Sequence, residues 1–120
     1  MEVVKVIKAL ADETRIRMLN LLYKEPLCVC DLEEILEIAQ SNASRHLTKL
    51  KSAKLIVGNK QAQWIYYRVD KKILARYPFT EELLCRGLDK SPQCQKDLVR
   101  LKRYQNRGGN CEADLKLDDQ

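Results

Sequence analysis

The chain is poor in several residue types, and each shortage removes a class of function. It has a single histidine, His46, four glycines, and no Cys-x-x-Cys pair. With no histidine beside its thiols and no glycine-rich phosphate loop, a thiol reductase or nucleotide-dependent enzyme has little to build on. No apolar run approaches the 18 or so residues that span a bilayer, and the start, Met1-Glu2-Val3-Val4-Lys5, lacks a signal peptide's long apolar core. Both point to a cytoplasmic protein without a membrane partner. A further absence is local: from Ala39 to Val69 there is no Asp or Glu, although Arg45, Lys49, Lys51, Lys54, Lys60 and Arg68 fall within it. A long acid-free basic stretch suits a polyanion, because carboxylates there would repel phosphate.

The rest of the composition is ordinary. A chain of 120 residues makes one small domain with one core, expected over residues 1–104, with a tail over 105–120. The net charge is +5, yet Glu112, Asp114, Asp118 and Asp119 crowd the tail, so the body is more basic than the total. The five cysteines, Cys28, Cys30, Cys85, Cys94 and Cys111, are an odd number without a paired framework. In a reducing compartment that favours free thiols with metal-binding, redox or packing roles.

Hydrophobic spacing predicts a first short helix over residues 2–10 and a second capped by Asp12, carrying Ile16, Leu19 and Leu22 and broken at Lys24-Glu25-Pro26. Asp31 with Glu34 resembles a capping box and predicts the start of a third helix with Leu32, Ile35 and Leu36 on its apolar face. Ala39-Gln40 reads as the turn and Ser41 as the N-cap of a fourth helix running to about Ala53. Leu55-Ile56-Val57 and Trp64–Val69 read as a hairpin with its turn at Gly58–Gln61. Helical spacing resumes after Asp70, and a last helix is expected from Ser91 to about Tyr104, with Cys94, Leu98 and Leu101 in a narrow seam suited to helix packing, including across a dimer. From Asn106 onward little order is expected. The fold class is therefore mainly α with a β-hairpin wing (α+β): a winged helix-turn-helix.

At about 100° per residue, the fourth helix places Ala43, Leu47 and Leu50 on its apolar side and Ser41, Asn42, Arg45, Thr48, Lys49 and Ser52 opposite. Arginine and asparagine make bidentate contacts to base edges, while hydroxyls and lysine hold phosphates. Ser41, Asn42, Ser44, Arg45, His46, Thr48 and Lys49 are the candidate DNA contacts, with Lys60 and Gln61 at the expected hairpin tip as wing contacts. His46 lies on the flank of the apolar side, where a packed imidazole fits as well as a phosphate contact. Trp64, Tyr66 and Tyr67 read as packing residues of the hairpin.

Cys28-x-Cys30 stands just ahead of the third helix. A helix N-terminus favours thiolate, the metal-binding form, and soft thiolates without histidine select thiophilic ions rather than zinc. Leu10–Leu19, Leu27-Cys28-Val29-Cys30-Asp31-Leu32, Ser44-Arg45-His46-Leu47 and Gln63–Arg68, in that order, resemble the ArsR/SmtB family of metal-sensing winged-helix repressors, most of all its arsenic-sensing branch. The resemblance implies a homodimer that represses its operator on double-stranded DNA when metal-free and releases it when thiolates bind arsenite or antimonite, As(III) or Sb(III).

That branch commonly uses a third thiolate three residues after the second, and here the position is Glu33. Cys28 and Cys30 carry over; Cys111 is the candidate third ligand, Cys94 the alternative, and Cys85 reads as packing. The cadmium- and lead-sensing branch adds cysteines from an N-terminal extension, and no cysteine precedes Cys28. Residues two apart on a helix point about 200° away from each other, so ion binding is expected to hold this segment out of helix and shift the reading helix packed beside it. A redox-sensing repressor of the same fold is the alternative of the same class.

Overall fold

The computed structural model describes residues 1–109. Seven α-helices and one antiparallel hairpin make up the described chain: α1 (Glu2–Leu10), α2 (Glu13–Lys24), α3 (Val29–Leu36), α4 (Gln40–Ser52), β1 (Ile56–Gln61), β2 (Trp64–Val69), α5 (Lys71–Arg76), α6 (Pro78–Cys85) and α7 (Pro92–Asn106). A 3-10 turn over Gly87–Lys90 precedes α7. Asp12 starts α2 as expected, accepting the backbone N–H of Arg15 at 3.0 Å. Ser91 does the same for α7 through the N–H of Cys94 at 3.2 Å.

The core forms around α2, which packs against α1, α4, α7 and β2. Met18, Leu19 and Leu22 from α2 meet Leu32, Ile35 and Leu36 of α3, Ala43, Leu47 and Leu50 of α4, and Leu101 and Tyr104 of α7. The face of α7 that packs inward is Cys94, Asp97, Leu101 and Tyr104. Its polar members are each tied down. Arg17 of α2 grips Asp97 bidentately at 2.8 and 2.9 Å, and Gln93 adds a third donor at 3.0 Å. Asp97 has no exposed surface, so this pair fixes α2 to α7.

Three boundaries differ from the sequence reading. Helix α3 begins at Val29 with Cys28 as N-cap, two residues before Asp31. Asp31 is the N3 residue, reaching back to the backbone N–H of Cys28 at 2.9 Å, the reciprocal half of a capping box. Helix α4 begins at Gln40 with Ala39 as N-cap, so Ser41 lies inside the first turn. The hairpin turn is Ala62–Gln63, beyond the rung pairing Gln61 with Trp64, and Gly58 is a strand residue paired with Tyr67.

The strand position of Gly58 has a steric reason. A Cβ there would lie 2.9 Å from Ile65 Cγ2 and 3.1 Å from Tyr67 Cε1. Glycine leaves room for the tyrosine ring to cross the hairpin. Ala62 turns the chain with φ 55°, a left-handed conformation that costs an L-residue about 1 kcal/mol. Lys60 and Gln61 therefore stand on the strand beside the tip rather than at it.

Helix α7 closes just past Asn106. Gly108 takes φ 70° and Gly109 returns its N–H to the carbonyl of Tyr104 at 2.8 Å, a helix stop of the glycine type. Cys111 and the acidic tail lie outside the described residues. Among those described, no helix is long and apolar enough to cross a membrane.

Candidate thiol site and nucleic-acid interface

The chain enters α3 by way of the wing. Leu27 exchanges two backbone hydrogen bonds with Tyr67 of β2, at 3.0 and 2.8 Å, a one-residue bridge along the hairpin edge. The next residue, Cys28, is extended (φ −91°, ψ 173°) and 1% exposed. Its thiol donates to Asp31 Oδ2 at 3.2 Å, the same oxygen that accepts its backbone N–H. Asp31 is itself buried, and its Oδ1 accepts the hydroxyl of Tyr104 at 2.6 Å. One carboxylate thus joins the thiol segment, the start of α3 and the end of α7. Such a bond to a charged acceptor contributes about 1.5–3 kcal/mol.

Cys30 sits in the first turn of α3, half-buried. In the segment that ion binding is expected to hold out of helix, Cys28 is already extended and Cys30 is helical. Cys94 is buried near the start of α7, ten residues before Tyr104 and hence about 15 Å back along the helix axis. Its carbonyl accepts from Asn20 at 3.1 Å, consistent with a packing role. Cys85 is exposed at the end of α6. Among the described residues no group of three or more His, Cys, Asp or Glu is placed to hold a metal ion. Cys28 and Cys30 flank the start of α3, one as its N-cap and the other in its first turn.

Glu33, at the position of the family's third thiol, is half-buried and lines a cleft of about 540 Å³ between α3 and α7 with Glu34, Glu37, Arg100, Arg103 and Arg107. Arg100 pairs with Glu37 at 2.8 Å and Arg107 with Glu34 at 3.1 Å. A smaller cleft is lined by Leu27, Asp31, Tyr66, Tyr104, Gly108 and Gly109.

Helix α4 follows α3 after a tight turn in which Glu37 takes the left-handed conformation (φ 56°). Ala39 gives the first turn of α4 no side-chain cap, leaving its N–H groups to an external acceptor. Ser41, Ser44, Arg45, Thr48 and Lys49 are exposed and Asn42 is half-buried. Arg45 is held over the helix by Asn42, its Nη2 donating to Oδ1 at 2.6 Å. Thr48 returns its hydroxyl to the Ser44 carbonyl at 2.9 Å. Lys60 and Gln61 are exposed on the same basic stretch of chain.

His46 does not belong to that face. It is 6% exposed, and its Nδ1 lies 3.2 Å from Nη1 of Arg15. Arginine can only donate, so Nδ1 accepts and the ring is neutral. Burial lowers its pKa further, against the pull of Asp12 3.9 Å away. The candidate contact is thereby corrected to a packed imidazole, one of the two alternatives its flank position allowed. Arg15 is the residue sequence reading missed. Its Nε donates to the Ala9 carbonyl at 2.8 Å and its Nη2 to the Lys8 carbonyl at 3.4 Å, so one guanidinium closes the end of α1 and seats it against α4.

Comparison with known proteins places this arrangement. A model described as "Bacterial regulatory protein, arsR family" matches residues 12–57, from the α2 cap through α3, the turn and α4 into β1. The arsenical resistance operon repressor of Escherichia coli K12 is 32% identical over 114 residues, 94% of this chain and 92% of that protein. The arsenic resistance transcriptional regulator ArsR1 of Pseudomonas putida is 44% identical over 69 residues, and there the match spans 54% of the relative. A cadmium resistance regulatory protein CadC homologue of Staphylococcus aureus is 41% identical over 71 residues, 59% of its length. Among solved structures, HlyU from Vibrio cholerae covers 71% of this chain and 94% of its own at 31% identity, with a TM-score of 0.60. With helix, turn, reading helix and wing in this order and a full-length relative of that identity, the chain belongs to the arsR family of bacterial regulatory proteins.

Proposed function

We propose that this protein is a homodimeric, cytoplasmic transcriptional repressor that holds operator DNA when metal-free and releases it when its thiolates bind arsenite or antimonite. The observation that carries this reading is the position of Cys28. It is at once the cap of α3, the neighbour of the Leu27–Tyr67 bridge to the wing, and a thiol donor to Asp31. Chemistry at this sulfur acts on both DNA-facing elements through the residues on either side of it.

Arsenous acid exchanges each hydroxide for a thiolate, and each thiol proton leaves with that hydroxide as water. Binding at Cys28 therefore removes the S–H that donates to Asp31 and sets a sulfur without a proton beside a carboxylate. The Cys28–Asp31 contact opens, and with it the start of α3, which packs on α4. The reading helices of a two-fold dimer then lose their spacing on the operator.

Cys28 and Cys30 supply two ligands in this reading and Cys111 the third. Support for Cys111 comes from the course of α7: Gly109 lines the same cleft as Leu27 and Asp31, and Cys111 follows two residues later, within about 7 Å of extended chain. Cys94, about 15 Å back along α7, fits less well as the alternative.

Fluorescence anisotropy on a labelled duplex from upstream of the chain's own gene tests this under reducing conditions. Arsenite or antimonite should release the wild type but neither Cys28→Ser nor Cys30→Ser, and Cys111→Ser should need more arsenite. Continued release from both Cys28→Ser and Cys30→Ser overturns the thiol reading. Release by cadmium or lead and not arsenite moves the protein to the cadmium-sensing branch, and release by peroxide alone makes it a redox sensor.

A further inference from the structure

The geometry points to a second DNA-contacting element: Lys5 and Lys8 of α1, with Lys49 and Ser52 of α4, form a cleft that takes the phosphate backbone flanking the bases read by α4. This rests on the DNA-binding reading above and extends it to a helix outside the helix-turn-helix and wing.

Four observations carry it. An open cleft of about 230 Å³ lies between α1 and α4, lined by Lys5, Lys8, Ala9, Arg15, Lys49, Ser52 and Ala53, without a carboxylate among its lining residues. Lys5 and Lys8 are one turn apart and both exposed, so their ammonium groups share a face. Lys49 belongs also to the polar face of α4 that carries Arg45, which makes the cleft continuous with the candidate reading surface. The carboxylates nearest in the chain are already paired: Glu2 with Arg76 at 2.8 Å and Tyr77 at 2.7 Å, and Asp12 with the N–H and guanidinium of Arg15, the cleft's own arginine.

The cleft is also held rigid. Arg15 bonds the last carbonyls of α1 and the ring of His46 in α4 at once, fixing the two helices that form its walls. On the wheel of α1, Val6 and Ala9 point into the core while Val4 and Ile7 are exposed. The lysines lie between these two sets, leaving the apolar stripe free to face another surface while the lysines face phosphate. A phosphodiester suits such a site because lysine binds it as a point charge at no fixed angle.

The test needs no operator, since phosphate contacts act on any duplex. Binding of the full chain to a mixed-sequence 30-base-pair duplex is titrated from about 50 to 200 mM KCl, and the slope of log Kobs against log salt is compared among variants. Each phosphate contact contributes about 0.9 to that slope. Lys5→Gln/Lys8→Gln should therefore lower its magnitude by about 1.8 per protomer, with an unchanged melting temperature. Lys5→Arg/Lys8→Arg should keep it, and Lys90→Gln/Lys102→Gln, with the same loss of net charge, should leave it near the wild-type value. A wild-type slope in the Lys5/Lys8 double variant, or an equal fall in the Lys90/Lys102 control, overturns the proposal while leaving α4 as the reading helix. Failure of the wild type to bind any duplex overturns the DNA-binding reading itself.

Discussion

Replacing Tyr104 by phenylalanine deletes one oxygen and leaves the ring in place. The ring is 7% exposed and belongs to the core, so the substitution opens no cavity of consequence. What is lost is the 2.6 Å hydrogen bond to Oδ1 of Asp31, a buried carboxylate whose other oxygen serves the backbone N–H and thiol of Cys28. A hydrogen bond to a charged acceptor contributes about 1.5–3 kcal/mol, and leaving the acceptor buried puts the loss near the middle of that range, about 2 kcal/mol. Urea unfolding at fixed protein concentration should register this as a midpoint lower by about 1 M, with the slope m unchanged because the surface exposed on unfolding is the same. Asp31→Asn and the double variant complete a cycle, in which the two losses should overlap by about 1–2 kcal/mol. A loss below about 0.5 kcal/mol, or additive losses, would refute the claim that the carboxylate couples the thiol segment to α7.

Arg17→Ala should be more damaging, at about 3 kcal/mol, because it strips Asp97 of its bidentate partner while the carboxylate stays fully buried; Asp97→Asn, which removes the charge, should cost less in the same urea titration. His46 carries a pH signature. Its folded pKa lies below the usual imidazole value, chiefly through burial, so its contribution to stability is complete above about pH 6.5 and is lost as pH falls through the lowered folded value. Urea midpoints followed from pH 7.5 to 5 should fall in the wild type and fall less in His46→Gln; equal falls would assign the dependence to carboxylates.

Most of the architecture is legible from side-chain periodicity, because α1, α2 and α4 each keep an unbroken apolar face and Asp12 and Ser91 sit where side-chain caps belong. The thiol segment was harder for a physical reason. Asp31 signals a helix start, but an acid three residues into a helix reaches back just as an N-cap reaches forward, and only the fold decides which. Gly58 reads as a turn until the ring of Tyr67 is known to need the space, and nothing in an alanine announces the left-handed conformation of Ala62. Arg15, Arg17, Asp97 and Tyr104 escaped notice because their roles depend on partners up to 80 residues away. Long-range polar pairs leave no periodic trace.

Two of the polar ties on α7 differ in kind. Near its start, Asp97, which has no exposed surface, takes two charged bonds from Arg17; near its end, the core residue Tyr104 sends its hydroxyl to Asp31. The two lie about 10 Å apart along the helix axis, and Arg100 and Arg107 add pairs to Glu37 and Glu34 on the same stretch of α7. The carboxylate that accepts the Cys28 thiol is thus the one that accepts the hydroxyl near the end of α7, while the start of α7 is fastened to α2 without it.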